Sequence, residues 1–156
     1  MQMPIDLRLA RHGVVVLLLG LLTGFAIPNF HNPHVGDAAH LVGLIGGFGI
    51  IALGLLWPRL NLGRFLSGAG AWMIAISMYL NWLGCVFLGA FGSGPTATNS
   101  AMLGSPLLWD RIARVTLSIG AWLSLFATIV VLVGLRKLTA PAETRGAMPE
   151  ISTTRC

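Results

Sequence analysis

Four stretches of this chain run for roughly 20 residues with almost no charge, and this constrains the fold more than any other feature. A helix of that length crosses ~30 Å of hydrocarbon. Soluble domains carry about 25% charged residues, whereas this 156-residue chain is 10% charged and 55% hydrophobic. The expected fold class is all-α integral membrane protein: a four-helix transmembrane bundle in a single domain. Disulfide scaffolds, acidic tails and disordered domains are excluded. A net charge of +5 would suit nucleic acid, but in a chain with apolar spans such an excess usually sits in loops and sets orientation. The expected partner is the lipid bilayer, and no nucleic acid is expected.

The spans read as about 13–27, 36–57, 65–91 and 110–135, within a membrane domain of residues 1–138. Pro28, Asn29 and Asn32-Pro33 end the first, and Pro58-Arg59 ends the second ahead of a short turn at Asn61-Leu62-Gly63. The third, ~40 Å long as one helix, must tilt or protrude. A loop rich in Gly, Ser, Pro and Thr follows from Gly92 to Ser105, where Ser105-Pro106 reads as an N-cap and first-turn proline for the fourth helix. Asp110, Arg111 and Arg114 are expected on its exposed first turns. Residues 139–156 read as a disordered cytoplasmic tail.

Of the ten Lys and Arg residues, Arg8, Arg11, Arg59, Arg64, Arg136, Lys137, Arg145 and Arg155 share one side, and only Arg111 and Arg114 lie opposite. The positive-inside rule then predicts both termini and the 58–64 turn in the cytoplasm, which an even number of spans permits. Arg8 and Arg11 ahead of a run ending Gly24-Phe25-Ala26 also fit a secretory signal, the minor reading beside a retained span. Cys85, inside the third span, and Cys156, at the end of the tail, form no expected pair.

At 100° per residue, Gly36, His40, Gly43, Gly47 and Gly54 fall within about 60° of one another on the second span. A glycine stripe lets a neighbouring helix backbone, or a flat ring, approach to contact distance. His40, ~6 Å from the outer helix end, is a functional candidate because a membrane imidazole faces protein or water; a histidine merely hydrogen-bonded near the interface is the alternative. On the third span Gly70, Ser77, Asn81, Gly84, Cys85 and Gly92 share a sector of about 120° that should point inward, opposite Trp72 and Tyr79, which are expected to face lipid or a neighbouring subunit. Asn81 either joins helices or touches a ligand. Counting down from Gly92, Cys85 lies ~10 Å and Asn81 ~16 Å below the outer surface, so a pocket joining them to His40 would occupy the outer half of the membrane. Arg111 and Arg114 stand near that level and could pair with carboxylates of a bound cofactor; the plainer reading is a solvated helix start where Asp110 pairs with Arg114. His31, His34 and Asp37 read as exposed outer-loop residues, with a weak metal site as the alternative, and His12 has no evident partner.

No GxSxG, HExxH, CxxC or Walker motif occurs. The first span lacks the acidic residue that a four-span proton-coupled pump would need.

Several segments resemble the hydroxylaminobenzene mutase family, itself similar to styrene oxide isomerases. They are Arg11-His12-Gly13, Leu18-Leu19-Gly20-Leu21-Leu22-Thr23-Gly24, Asn32-Pro33, Ala39-His40-Leu41-Val42-Gly43-Leu44, Gly54-Leu55-Leu56-Trp57-Pro58 and Tyr79-Leu80-Asn81-Trp82-Leu83. The resemblance covers spans one to three, matches the fourth only in character and leaves out the tail. It implies a homo-oligomer, with a trimer as the expected state, in the bacterial inner membrane, rearranging a small aromatic hydroxylamine or epoxide without net redox change. In the isomerases a second-span histidine looks like the axial ligand of haem b, and His40 matches it. His40 is thereby the expected metal ligand, Gly43, Gly47, Arg111 and Arg114 the expected cofactor contacts, and Asn81 with Cys85 the expected catalytic pair. Three positions depart from the family: Gly46 stands where relatives carry a pocket asparagine, Val42 where mutases have a glutamate, and Cys85 where isomerases have a tyrosine. Two other readings compete with the enzyme: a non-catalytic haem-binding or structural membrane protein, and a subunit of a larger membrane complex.

Overall fold

The computed structural model describes residues 5–60, 62–92 and 106–139. Among them are four α-helices, α1 (Ile5–Ala26), α2 (Pro33–Leu56), α3 (Arg64–Phe91) and α4 (Pro106–Thr139), each containing a stretch long and apolar enough to cross a membrane. The Asn61 position, the loop at 93–105 with its Ser105 cap, and residues 140–156 with Cys156 lie outside the described residues.

Local sequence sets the helix ends. Pro28 and Pro58 each sit in a single 3-10 turn, Ile27–Asn29 and Trp57–Arg59, that closes the preceding helix; the amides of Phe30 and Leu60 donate to the carbonyls of Ile27 (3.0 Å) and Trp57 (3.1 Å). Asn32 caps α2, its side-chain oxygen accepting from the Val35 amide at 3.4 Å, with Pro33 at the first helical position. The α1 helix begins at Ile5 rather than near residue 13, because arginines end an apolar run without ending a helix.

Two antiparallel hairpins make the bundle, α1 with α2 and α3 with α4, joined where α3 packs on α2 and α1. In the first, glycine faces glycine: a Cβ added at Gly20 would stand 2.8 Å from the Gly43 carbonyl carbon, and one at Gly47 would stand 2.7 Å from the Leu17 nitrogen. In the second, the inward face of α3 packs on α4, Gly84 against Leu117 and Gly70 against Val130. Leu9, Val16, Ile50, Trp57, Ile74 and Ala127 form the buried core. Ser77 is buried among them, and Trp57 Nε1–H donates to Ser67 Oγ at 2.9 Å.

This topology gathers Arg8, Arg11, Arg59, Arg64 and Arg136 at one end of the bundle, and His31, His34, Asp37, Asp110, Arg111 and Arg114 at the other. At the second end the Asn32 amide donates to the Gly89 carbonyl at 2.9 Å, and Trp109 stacks on Phe91 with centroids 4.9 Å apart. Asp110 is only 8% exposed there, so the start of α4 is not the fully solvated turn its charges suggest.

Candidate functional site

His40 projects from α2 onto α1. Its Nδ1 lies 2.8 Å from the carbonyl oxygen of Gly20. A carbonyl can only accept, so Nδ1 carries the hydrogen, and in the neutral ring the lone pair belongs to Nε2. Gly24 makes room for the imidazole, since a Cβ there would stand 2.8 Å from Nδ1 and 2.9 Å from Cε1. The ring is half-buried, and among the described residues Nε2 has no hydrogen-bond partner. An Nδ1–H bonded to a backbone carbonyl is the usual arrangement behind a histidine that ligates a metal through Nε2.

One turn away the junction of α1, α2 and α3 is held by Thr23. The Trp82 Nε1–H donates to Thr23 Oγ1 at 3.0 Å, and the Thr23 hydroxyl donates to the Leu19 carbonyl at 2.7 Å. Thr23 is 5% exposed. Thr23→Val, which keeps the shape and strands the indole donor, should lower stability by about 1 kcal/mol. Thermal unfolding in detergent, followed by tryptophan fluorescence, checks this as a drop of a few degrees in Tm.

The glycine stripe beside His40 accepts a helix. The backbone of α1 covers Gly43 at Gly20 and Gly47 at Leu17, so no flat ring rests on either glycine within one chain, and their assignment as cofactor contacts gives way to helix packing. Asn81 does not share a helix interface with His40. Asn81 lies against α4, where a Cβ at Gly120 would stand 2.7 Å from its Oδ1, and its amide makes no hydrogen bond among the described residues. Cys85, one turn further on, is half-buried. Arg111 and Arg114 are exposed on α4, and Arg114 Nε–H donates to the Asp110 backbone carbonyl at 3.4 Å. His31, His34 and Asp37 are exposed, and among the described residues no group of three or more His, Cys, Asp or Glu could hold a metal.

Sequence reasoning missed one cluster. Tyr79 does not face away from the protein: its hydroxyl is 3.2 Å from His12 Nδ1, and the His12 ring packs edge-on to Tyr79 (5.9 Å between centroids) and beside Trp72 (5.6 Å). Beside them a cavity of about 570 Å³ opens between α1 and α3. The available signal was the seven-residue spacing of Trp72 and Tyr79, which puts both on the helix face that α1 meets. A second cavity, about 300 Å³, lies between α2, α3 and α4 and is lined by Gly46, Ile50, Ile74, Ser77, Met78 and Ala127 among others. Gly46 is covered by the Met78 thioether, 2.7 Å from where its Cβ would be.

Comparison with known proteins follows the same lines. Hydroxylaminobenzene mutase HabB of Ectopseudomonas oleovorans is 42% identical over 91 residues, 58% of this chain and 56% of its own length. Hydroxylaminobenzene mutase HabA of the same organism is 42% identical over 82 residues, 53% of this chain and 61% of its own length. The chain thus matches little more than half the length of either relative. No solved structure matches it. The styrene oxide isomerase family model matches residues 5–136, which takes in all four helices but for the last residues of α4, and the chain belongs to that family.

Proposed function

We propose that this chain is a multi-pass enzyme of the bacterial inner membrane that isomerises a small aromatic hydroxylamine or epoxide, with both termini in the cytoplasm and working as a homo-oligomer, a trimer by the family resemblance. The observation that carries the reading is the His40 imidazole, fixed by Gly20 and Gly24 with its Nε2 lone pair free of described partners. The Nε2 lone pair would hold the iron of haem b, and the Nδ1 contact with Gly20 keeps the ring in one orientation. When bound, ferric haem would supply a Lewis acid for the substrate oxygen. Arg111 and Arg114, at the same end of the bundle, would pair with its carboxylates.

Isomerisation asks the protein to hold the arene, exclude water and orient the departing oxygen. The Asn81 amide faces α4 rather than His40, so in this reading it would hold the polar end of the substrate from the α3–α4 side, with Cys85 one turn further along α3. The apolar membrane setting keeps water from trapping a cationic intermediate.

The test is turnover by the purified full chain. Phenylhydroxylamine should give an aminophenol, or an aryl epoxide its carbonyl isomer, with no added reductant or oxidant and product mass equal to substrate mass. Asn81→Ala should lower kcat/KM by at least about tenfold. Absence of product from both substrates in haem-loaded protein would remove the enzymatic reading, and full activity in Asn81→Ala would remove that residue from the site.

A further inference from the structure

The cavity between α1 and α3 lies at the basic end of the bundle, far along α1 from His40, and the isomerase reading does not use it. Its α1 wall is Arg8, Leu9, Arg11, His12 and Val15, and its α3 wall is Gly68, Ala71, Trp72 and Ala75, mostly small residues. Small residues on α3 leave the volume open, and arginines on α1 give it a charged mouth. His12 is held in place by Tyr79 and Trp72. On the outer flank Val15 is 44% and Trp72 59% exposed, so the cavity opens sideways, toward the surface that α1 and α3 present to the membrane.

A site of this form suits a ligand with an oxyanion at one end and an apolar body at the other. Guanidinium groups bind phosphate in forked pairs, tryptophan marks the headgroup level, and basic pockets between spans recognise anionic headgroups. Sideways opening favours a ligand that enters from the bilayer. We propose that this cavity binds the headgroup phosphate of an anionic phospholipid through Arg8 and Arg11, with His12 at its base and an acyl chain along Val15 and Trp72.

Native mass spectrometry of the full chain in detergent tests it, titrating phosphatidylglycerol against phosphatidylcholine of identical acyl chains. Wild type should retain phosphatidylglycerol about tenfold more tightly. Arg8→Gln with Arg11→Gln should erase the preference, because both side chains are exposed and their loss spares the core. Val15→Trp, which narrows the apolar flank of the cavity and leaves every charge in place, should weaken retention of phosphatidylglycerol. Arg8→Lys with Arg11→Lys should retain only part of the preference, since lysine lacks the fork. Equal retention of both lipids by wild type would overturn the proposal, as would unchanged preference in the double glutamine variant. Displacement of phosphatidylglycerol by benzoate at equal concentration would also overturn it, assigning the cavity to small aromatic acids.

Discussion

Gly43→Leu is expected to prevent the α1–α2 hairpin from closing. A Cβ at position 43 would overlap the Cα of Gly20, and the reverse approach, from Gly20, ends 2.8 Å from the Gly43 carbonyl carbon. Both neighbours are main-chain atoms, which cannot rotate away as a flexible side chain can. The helices would have to separate along the whole contact. That would break the hydrogen bond from His40 to Gly20 and the approach of Gly47 to Leu17. Overpacking at a site that can shift costs about 1–3 kcal/mol, and this backbone contact lies at or beyond the upper end. In a bilayer the loss weighs more heavily, because helix association there draws on close packing without a hydrophobic drive between spans. Size-exclusion chromatography of detergent-purified protein should show the monodisperse peak lost, with unfolding at markedly lower temperature. Gly49→Ala, on the same helix with open space where its Cβ would stand, is the control and should behave as wild type. Equal behaviour of the two variants would mean that the glycine stripe does not hold these helices.

The same stripe marks how far a sequence alone can be read. Apolar runs locate four helices because hydrocarbon leaves few alternatives, and Pro28, Asn32-Pro33 and Pro58 end them because a proline ring removes a donor and collides with the preceding turn. A helical wheel also identifies which residues share a face. It does not say which neighbour meets that face, since that is a pairwise property of two helices. Gly43 and Gly47 are therefore legible as a contact stripe but not as the contact of α1. Tyr79 is legible as lying opposite the small face of α3, yet that side belongs to α1 and His12 rather than to lipid. Asn81 and His40 lie toward the same end of the bundle, but their side chains turn to α4 and α1 respectively. Polar residues beyond the apolar limits are the other blind spot: Arg8 and Arg11 extend α1, and Asp110 is buried at the start of α4, although their charges alone suggest solvated ends.

His40→Ala is expected to separate a ligand from a mere helix contact. If His40 holds haem b, purified wild type carries a Soret band that the alanine variant lacks, and turnover of the arylhydroxylamine or epoxide falls by at least about 100-fold. If the imidazole serves only as a donor to Gly20, the variant loses about 1 kcal/mol of stability and its absorbance matches wild type. His40→Gly with added imidazole sharpens the distinction, because free imidazole can restore an iron ligand, and with it the spectrum, without restoring a tethered bond between α1 and α2. Gly24→Val gives a graded version. Its Cβ alone would stand 2.8 Å from Nδ1 and 2.9 Å from Cε1 of the ring, so the imidazole must swing off the Gly20 carbonyl while the chain keeps all its ligating atoms. A weakened, shifted Soret band with haem titrating in at higher concentration is expected from a displaced ligand. A wild-type spectrum in His40→Ala would refute the ligand assignment, and a wild-type spectrum in Gly24→Val would show that iron binding does not depend on the orientation fixed by Gly20.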